Sequence, residues 1–226
     1  MVSVAQPLAE HARNELMRAL LHHSAPPGSS TLLRALEVTV VAIGEVVPWR
    51  YPPRGEMQFG EWLREDILGG RIEPGMLDVD LAILLTKVRN HSTALVGPSA
   101  AELFDSVPAS DLQRAMLDTC KQWNADEDWK GDEFNVLLAL ARIWFTACTG
   151  AITSKDAAAG WAIERLPEAH RHIMRQALHA YLRGTGDASV FIPAELAKTI
   201  HFCKQAIALG LKKRVETLPG TGNAER

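Results

Sequence analysis

Leu36-Glu37-Val38-Thr39-Val40-Val41-Ala42-Ile43 is the stretch on which the fold of this chain turns. It is rich in β-formers, and its side chains alternate. Leu36, Val38, Val40 and Ala42 point one way; Glu37, Thr39 and Val41 point the other. Upstream, residues 1–5 read as the tail of a second strand with no lead-in. Pro7 then opens a helical stretch to residue 22, where Leu8, Ala12, Leu16, Ala19 and Leu20 recur near the 3.6-residue period. Pro26-Pro27-Gly28 marks a loop over residues 24–30. Downstream, Trp49-Arg50-Tyr51-Pro52-Pro53 is a rigid aromatic loop, and residues 57–68 predict a helix closed by Gly69-Gly70.

From residue 77 onward the pattern is helical. Helices are predicted over 77–89, 99–104, 110–123, 132–149, 154–166, 168–182 and 193–211. Ser154 stands where a capping serine belongs, and Leu166-Pro167 closes its helix. Residues 216–226 read as a polar, fraying tail. The boundary falls at Val107-Pro108, between an α/β remnant (1–107) and a helical domain (108–226). The class is α+β, mostly helical.

Composition sets wide bounds. The 226 residues are 47% hydrophobic and 23% charged, ordinary for a water-soluble globular chain. A net charge of -3 lacks the basic excess of a nucleic-acid binder and is too small to argue for a polycationic ligand. No apolar run is long enough to span a membrane, and residues 1–10 carry no signal-peptide pattern. Cys120, Cys148 and Cys203 are few, odd in number and widely spaced. They read as reduced thiols of a cytoplasmic protein. No nucleic-acid or membrane partner is expected, and the chain is read as a monomer.

Several residues could carry chemistry. Glu37 is a carboxylate within an apolar strand, where it suits a general base or a metal ligand; a solvated strand face is the plainer alternative. Asp78-x-Asp80 resembles a metal dyad, but two residues share a face at that spacing only on a strand. Leu81, Leu84, Leu85 and Val88 come next at helical spacing, so the pair is rejected as a two-metal site and Asp80 alone is kept as a ligand contact. Trp123, Asp126, Asp128, Trp129, Asp132 and Glu133 mix rings and acids. They suit a cationic sugar, or else form the acidic first turn of a helix. Lys155 stands in a helix's first turn, where the dipole disfavours a cation unless an anion joins it. Arg142 lies mid-helix among apolar residues and needs an acid or a nucleotide. The eight His show no metal spacing, and no Walker A, G-x-S-x-G or G-x-G-x-x-G occurs.

Longer stretches carry a resemblance. They are Arg34-Ala-Leu-Glu-Val-Thr-Val-Val41, Val47-Pro-Trp-Arg-Tyr-Pro-Pro53, Met57-Gln-Phe-Gly-Glu-Trp-Leu-Arg-Glu-Asp-Ile67 and Asp80-Leu-Ala-Ile-Leu-Leu-Thr86. Gly131-Asp-Glu133, Leu140-Ala-Arg-Ile-Trp144, Ser154-Lys-Asp156 and Ala159-Gly-Trp-Ala-Ile-Glu-Arg-Leu-Pro-Glu-Ala169 continue the series. Together they resemble the aminoglycoside (3'')(9) adenylyltransferases. The resemblance implies a nucleotidyltransferase α/β domain and an all-helical drug-binding domain, with drug and ATP in the cleft between them. It implies transfer of AMP from Mg²⁺-bound ATP to a hydroxyl of streptomycin or spectinomycin, which confers antibiotic resistance.

By the same resemblance Glu37 is the general base, with metal ligation as a second role. Trp62 and Asp128 hold streptomycin, and Trp123 and Asp132 are further drug contacts. Lys155 meets phosphate; Asp80 and Arg142 approach the nucleotide. Asn135 receives no role, because relatives vary there. The chain departs from the family at one place. Its hallmark, G-S with D-x-D shortly after it at a strand end, does not occur here. Met1-Val2-Ser3-Val4 resembles the family's segment immediately C-terminal to that D-x-D, so the α/β domain is expected to be truncated and transfer by the chain as given impaired. A non-catalytic drug-binding remnant is the alternative.

Overall fold

The computed structural model of the chain describes residues 1–184 and 191–217. The chain divides into two compact units, Met1–Ala115 and Met116–Arg226. The tail read from residue 216 lies, from 218 on, outside the described residues.

The first unit begins with β1 (Val2–Val4), α1 (Glu10–His23), β2 (Val38–Ala42), α2 (Ile43–Val46), β3 (Arg54–Gly55), β4 (Met57–Phe59) and α3 (Arg64–Leu68). It continues with β5 (Met76–Leu77), α4 (Asp80–Asn90), α5 (Ala100–Leu103) and the start of α6 (Ala109–Cys120). The second unit holds the end of α6, then α7 (Glu133–Thr149), α8 (Lys155–Arg165), α9 (Glu168–Arg183) and α10 (Pro193–Thr217).

The alternation in residues 36–43 does what it predicts. β2 is the centre of a three-stranded sheet in the order β1-β2-β4, parallel to β1 and antiparallel to β4. Val40 packs with Met17, Leu21, Met57, Phe59 and Ile67, while Val41 packs with Val46, Leu81, Leu85 and Phe104. Each face of the sheet therefore has its own helical cover. Full burial of one leucine such as Leu81 or Leu85 contributes about 1.5–3 kcal/mol.

Two expectations are corrected. Residues 57–68 are not one helix. Met57, Gln58 and Phe59 form β4, buried-exposed-buried, and pair with Val40, Thr39 and Val38. A 3₁₀ turn (Glu61–Leu63) and the short α3 come after it. Three residues are too few to display a period of two, and the apolar spacing downstream of them mimics a helix. The helix predicted from residue 77 starts at Asp80, because Met76 and Leu77 pair with β3.

A buried ion pair ties α1 to the chain entering β4. Arg13 and Glu56 are both buried, with Arg13 Nη2 donating to Glu56 Oε1 at 2.7 Å. The same oxygen accepts the Leu8 backbone N–H at 3.1 Å. In the second unit α7 is apolar on most sides and packs against α8, α9 and α10. Gly210 allows the close approach of α10, since a Cβ there would lie 2.8 Å from Cys148 Sγ. None of the three cysteines forms a disulfide, and burial pushes the Cys203 thiol up to about 12.

Candidate active site

In the first unit Glu37 lies one residue before β2 rather than inside it, and it is exposed. The parity of the strand still governs the chain there, so Leu36 packs on the sheet's cluster and Glu37 faces water. Trp62 occupies the 3₁₀ turn after β4 and is 61% exposed, unusual for so large an apolar ring. Its indole lies over the backbone of Gly60, where a Cβ would come within 2.1 Å of ring carbons. Glycine at residue 60 therefore makes room for the ring.

A polar network that the sequence does not announce joins the approaches to Glu37 and Trp62. Ser24 is buried, 3% exposed. Its hydroxyl accepts the Leu36 N–H at 3.0 Å, beside Glu37, and donates to the carboxylate of Glu61, beside Trp62. Arg64 closes the network, donating to both Glu61 oxygens at 2.6 and 3.0 Å and to the Ser24 carbonyl at 2.9 Å. The Arg64 bonds first, then the Ser24 hydroxyl, outweigh burial and hold the Glu61 carboxyl below the usual carboxylate range. The network fixes local backbone for both candidate residues.

The Asp78-x-Asp80 pair is explained by its helix. Asp78 Oδ1 accepts the Asp80 N–H at 2.8 Å, the service of a helix-capping residue. Burial pushes the Asp78 carboxyl up, opposed by that bond. Asp80 is exposed at the first residue of α4.

In the second unit the turn after α6 carries Trp123 and Asp128. Asp128 Oδ2 accepts the backbone N–H groups of Asn124 and Ala125 at 2.7 and 2.9 Å. Those bonds hold its carboxyl below the usual range, so Asp128 is a fixed, exposed anion. Trp123 is half-buried, whereas Trp129 is buried and belongs to the core.

Asp132 precedes α7 and accepts the Asn135 side-chain amide at 2.7 Å. Asn135 Oδ1 in turn accepts from Lys155 Nζ at 3.0 Å, and the ammonium lies 5.6 Å from the centre of the Tyr181 ring. Asn135, which the sequence leaves without a role, is thus the link between Asp132 and Lys155. The Ser154 cap is corrected. Ser154 takes the extended backbone of a cap, but its hydroxyl bonds the Asp156 carboxylate, which also takes the Asp156 and Ala157 N–H groups and is held below the usual range. Arg142 is half-buried on α7, as its apolar neighbours predict.

Within the first unit Glu37 and Trp62 share a scaffold; within the second, Trp123 and Asp128 share a turn, and Asp132 and Lys155 share Asn135. Among the described residues no three His, Cys, Asp or Glu side chains gather into a group that could hold a metal ion. Mg²⁺ that arrives on ATP needs only one or two carboxylates beside the phosphates, and Glu37 is an exposed carboxylate of that kind.

Residues 102–206 match the family described as aminoglycoside adenylyltransferase, C-terminal domain. The aminoglycoside (3'') (9) adenylyltransferase of Rhizobium radiobacter is 50% identical over 213 residues, covering 94% of this chain and 79% of that protein. This chain belongs to the aminoglycoside adenylyltransferase family. Within that family it is also similar to the spectinomycin 9-adenylyltransferase of Staphylococcus aureus, at 39% identity over 93% of this chain and 80% of that one. A crystal structure of the spectinomycin adenyltransferase AAD(9) from Enterococcus faecialis, with ATP and spectinomycin, superposes with a TM-score of 0.81. It is 30% identical and covers 92% of this chain and 82% of that chain. The chain is therefore an aminoglycoside nucleotidyltransferase by family, with the α+β, mostly helical fold read from its sequence. No described helix is long and apolar enough to cross a membrane.

Proposed function

We propose that the protein transfers AMP from ATP to a hydroxyl of streptomycin or spectinomycin. The observation that carries this reading is the 50% identity to a relative named for that activity, over 94% of the chain. Residues 1–107 contribute the nucleotidyltransferase portion and residues 108–226 the drug-binding domain.

Each assigned residue has a physical task. Glu37, exposed at the head of β2, takes the proton of the drug hydroxyl. The freed oxygen attacks the α-phosphorus of ATP, and the bond to pyrophosphate breaks. Asp128, a fixed anion, pairs with the guanidinium groups of streptomycin, and Trp62 and Trp123 offer ring faces to the sugar. Asp132 adds a second carboxylate to the drug contacts. Lys155, presented by Asn135 at a helix N-terminus, meets phosphate, with Asp80 and Arg142 as further nucleotide contacts. The family resemblance implies Mg²⁺, which would come with the phosphates of ATP and neutralise their charge, with Glu37 as the carboxylate that would hold it. The reading also implies a cytoplasmic monomer.

Pyrophosphate release tests the reading. Protein, ATP and Mg²⁺ should release pyrophosphate only when spectinomycin or streptomycin is added. Drug binding without release would favour the second reading, a non-catalytic drug-binding protein.

A further inference from the structure

The turn that presents Trp123 and Asp128 has little regular structure of its own. α6 ends at Cys120, Lys121 and Gln122 form a turn, and residues 123–125 are irregular before the 3₁₀ turn Asp126–Asp128. Its backbone carbonyls point beyond the last helical bonds, where helix ends need outside donors. Most of its residues are exposed, so packing alone cannot fix it.

One face of α10 supplies the missing donors. His201 and Lys204 are three residues apart on that helix and share a face. The His201 ring meets Trp129 edge to face, centroids 6.2 Å apart. Lys204 Nζ donates to the Trp123 carbonyl at 2.5 Å and to Asn124 Oδ1 at 2.9 Å. The Asn124 backbone N–H then donates to Asp128 Oδ2 at 2.7 Å. The bonds therefore run from Lys204 through Asn124 to the carboxylate of Asp128, and directly to the backbone of Trp123.

We infer that Lys204 is a positioning residue for the drug, holding the turn that sets the Trp123 ring and the Asp128 carboxylate in register with each other. The inference rests on the adenylyltransferase reading, because it takes those two residues as drug contacts. Lys204 itself spends its ammonium on the turn. A cation is suited to the place, since it meets a backbone carbonyl of the turn after α6 and its charge also favours the anionic form of Asp128. Loss of this clamp releases the Trp123 carbonyl and Asn124 Oδ1, so the turn whose backbone N–H groups seat Asp128 is held less firmly. Streptomycin, with two guanidinium groups, depends on that seat more than spectinomycin does.

The test is calorimetric titration of the full chain with each drug, for the unaltered protein, Lys204→Met, Lys204→Arg and Asn124→Ala. Lys204→Met keeps the aliphatic stem and removes the donor. It should weaken streptomycin about tenfold, the loss expected for one bond from a charged donor, and spectinomycin much less. Lys204→Arg should restore most of the streptomycin affinity. Asn124→Ala, which leaves α10 and the Lys204 bond to Trp123 in place, should give a smaller loss with the same drug selectivity, and stands in if Lys204→Met proves unstable. Unchanged streptomycin affinity in both variants overturns the inference. So does equal weakening of both drugs without rescue by Arg, the mark of a merely structural residue. If the unaltered chain binds neither drug, the adenylyltransferase reading itself fails, a result separate from any variant.

Discussion

Ser24→Ala is the sharpest single perturbation of the first unit. Ser24 is 3% exposed, and its hydroxyl holds two bonds at once, from the Leu36 N–H and to the Glu61 carboxylate. Alanine removes both. The Leu36 N–H is part-buried, so leaving it without a partner falls toward the low end of about 1–3 kcal/mol, and a hydrogen bond to a charged group contributes about 1.5–3 kcal/mol. The second loss is the smaller one here, because Glu61 keeps two bonds from Arg64. The net expectation is about 2–4 kcal/mol. In a chain of this length, each kcal/mol lowers the melting temperature by roughly 2–4 °C, so Ser24→Ala should melt roughly 5–15 °C lower. Circular dichroism melts at neutral pH provide the assay, with Glu61→Gln and the double variant run beside it. The double variant should lose less than the sum of the singles, since the partners share one network. A melting temperature of Ser24→Ala within about 2 °C of the parent, or strict additivity, would refute the network as a structural unit.

Four further outcomes are expected. Glu37→Gln should abolish AMP transfer in coupled assays while calorimetric ATP affinity stays close to the parent's, because the amide cannot take the hydroxyl proton. Asp128→Ala should lose streptomycin more than spectinomycin, and equal loss of both would remove its assignment. The folded-state carboxyl of Asp128 titrates below its unfolded value, so the anion persists above that value and is lost only as pH falls through the lowered one. Streptomycin affinity should accordingly stay flat from pH 8 down to pH 5. Glu56→Ala strands the buried Arg13 guanidinium and should cost about 3–5 kcal/mol in urea unfolding, whereas an effect below about 1 kcal/mol would contradict the buried pair.

The sequence was most legible where residues report on their own neighbours. Alternation in residues 36–43 yields a strand with a packed cluster on each face, and helical spacing yields α4 and α7 to within a few residues. The same local signal rejects Asp78-x-Asp80, and the structure uses Asp78 to cap α4. Legibility failed for β4, because Met57-Gln58-Phe59 becomes a strand only by pairing with β2. It failed also for residues whose work is done at a distance. Ser24 reaches Glu61 across 37 positions and Lys204 reaches Trp123 across 81. Neither spacing leaves a pattern in the chain, since only folding brings the partners together. Asn135 links Asp132 to Lys155 in the same way, through a contact with α8 that its own helix does not foretell.

Mass spectrometry of streptomycin and spectinomycin, each incubated with the purified chain, ATP and Mg²⁺, decides whether the protein transfers AMP. A drug ion heavier by one AMP moiety is expected, absent when Glu37→Gln replaces the parent. Unmodified drug in the presence of folded protein that binds it would contradict adenylyl transfer by this chain and leave drug binding as its activity.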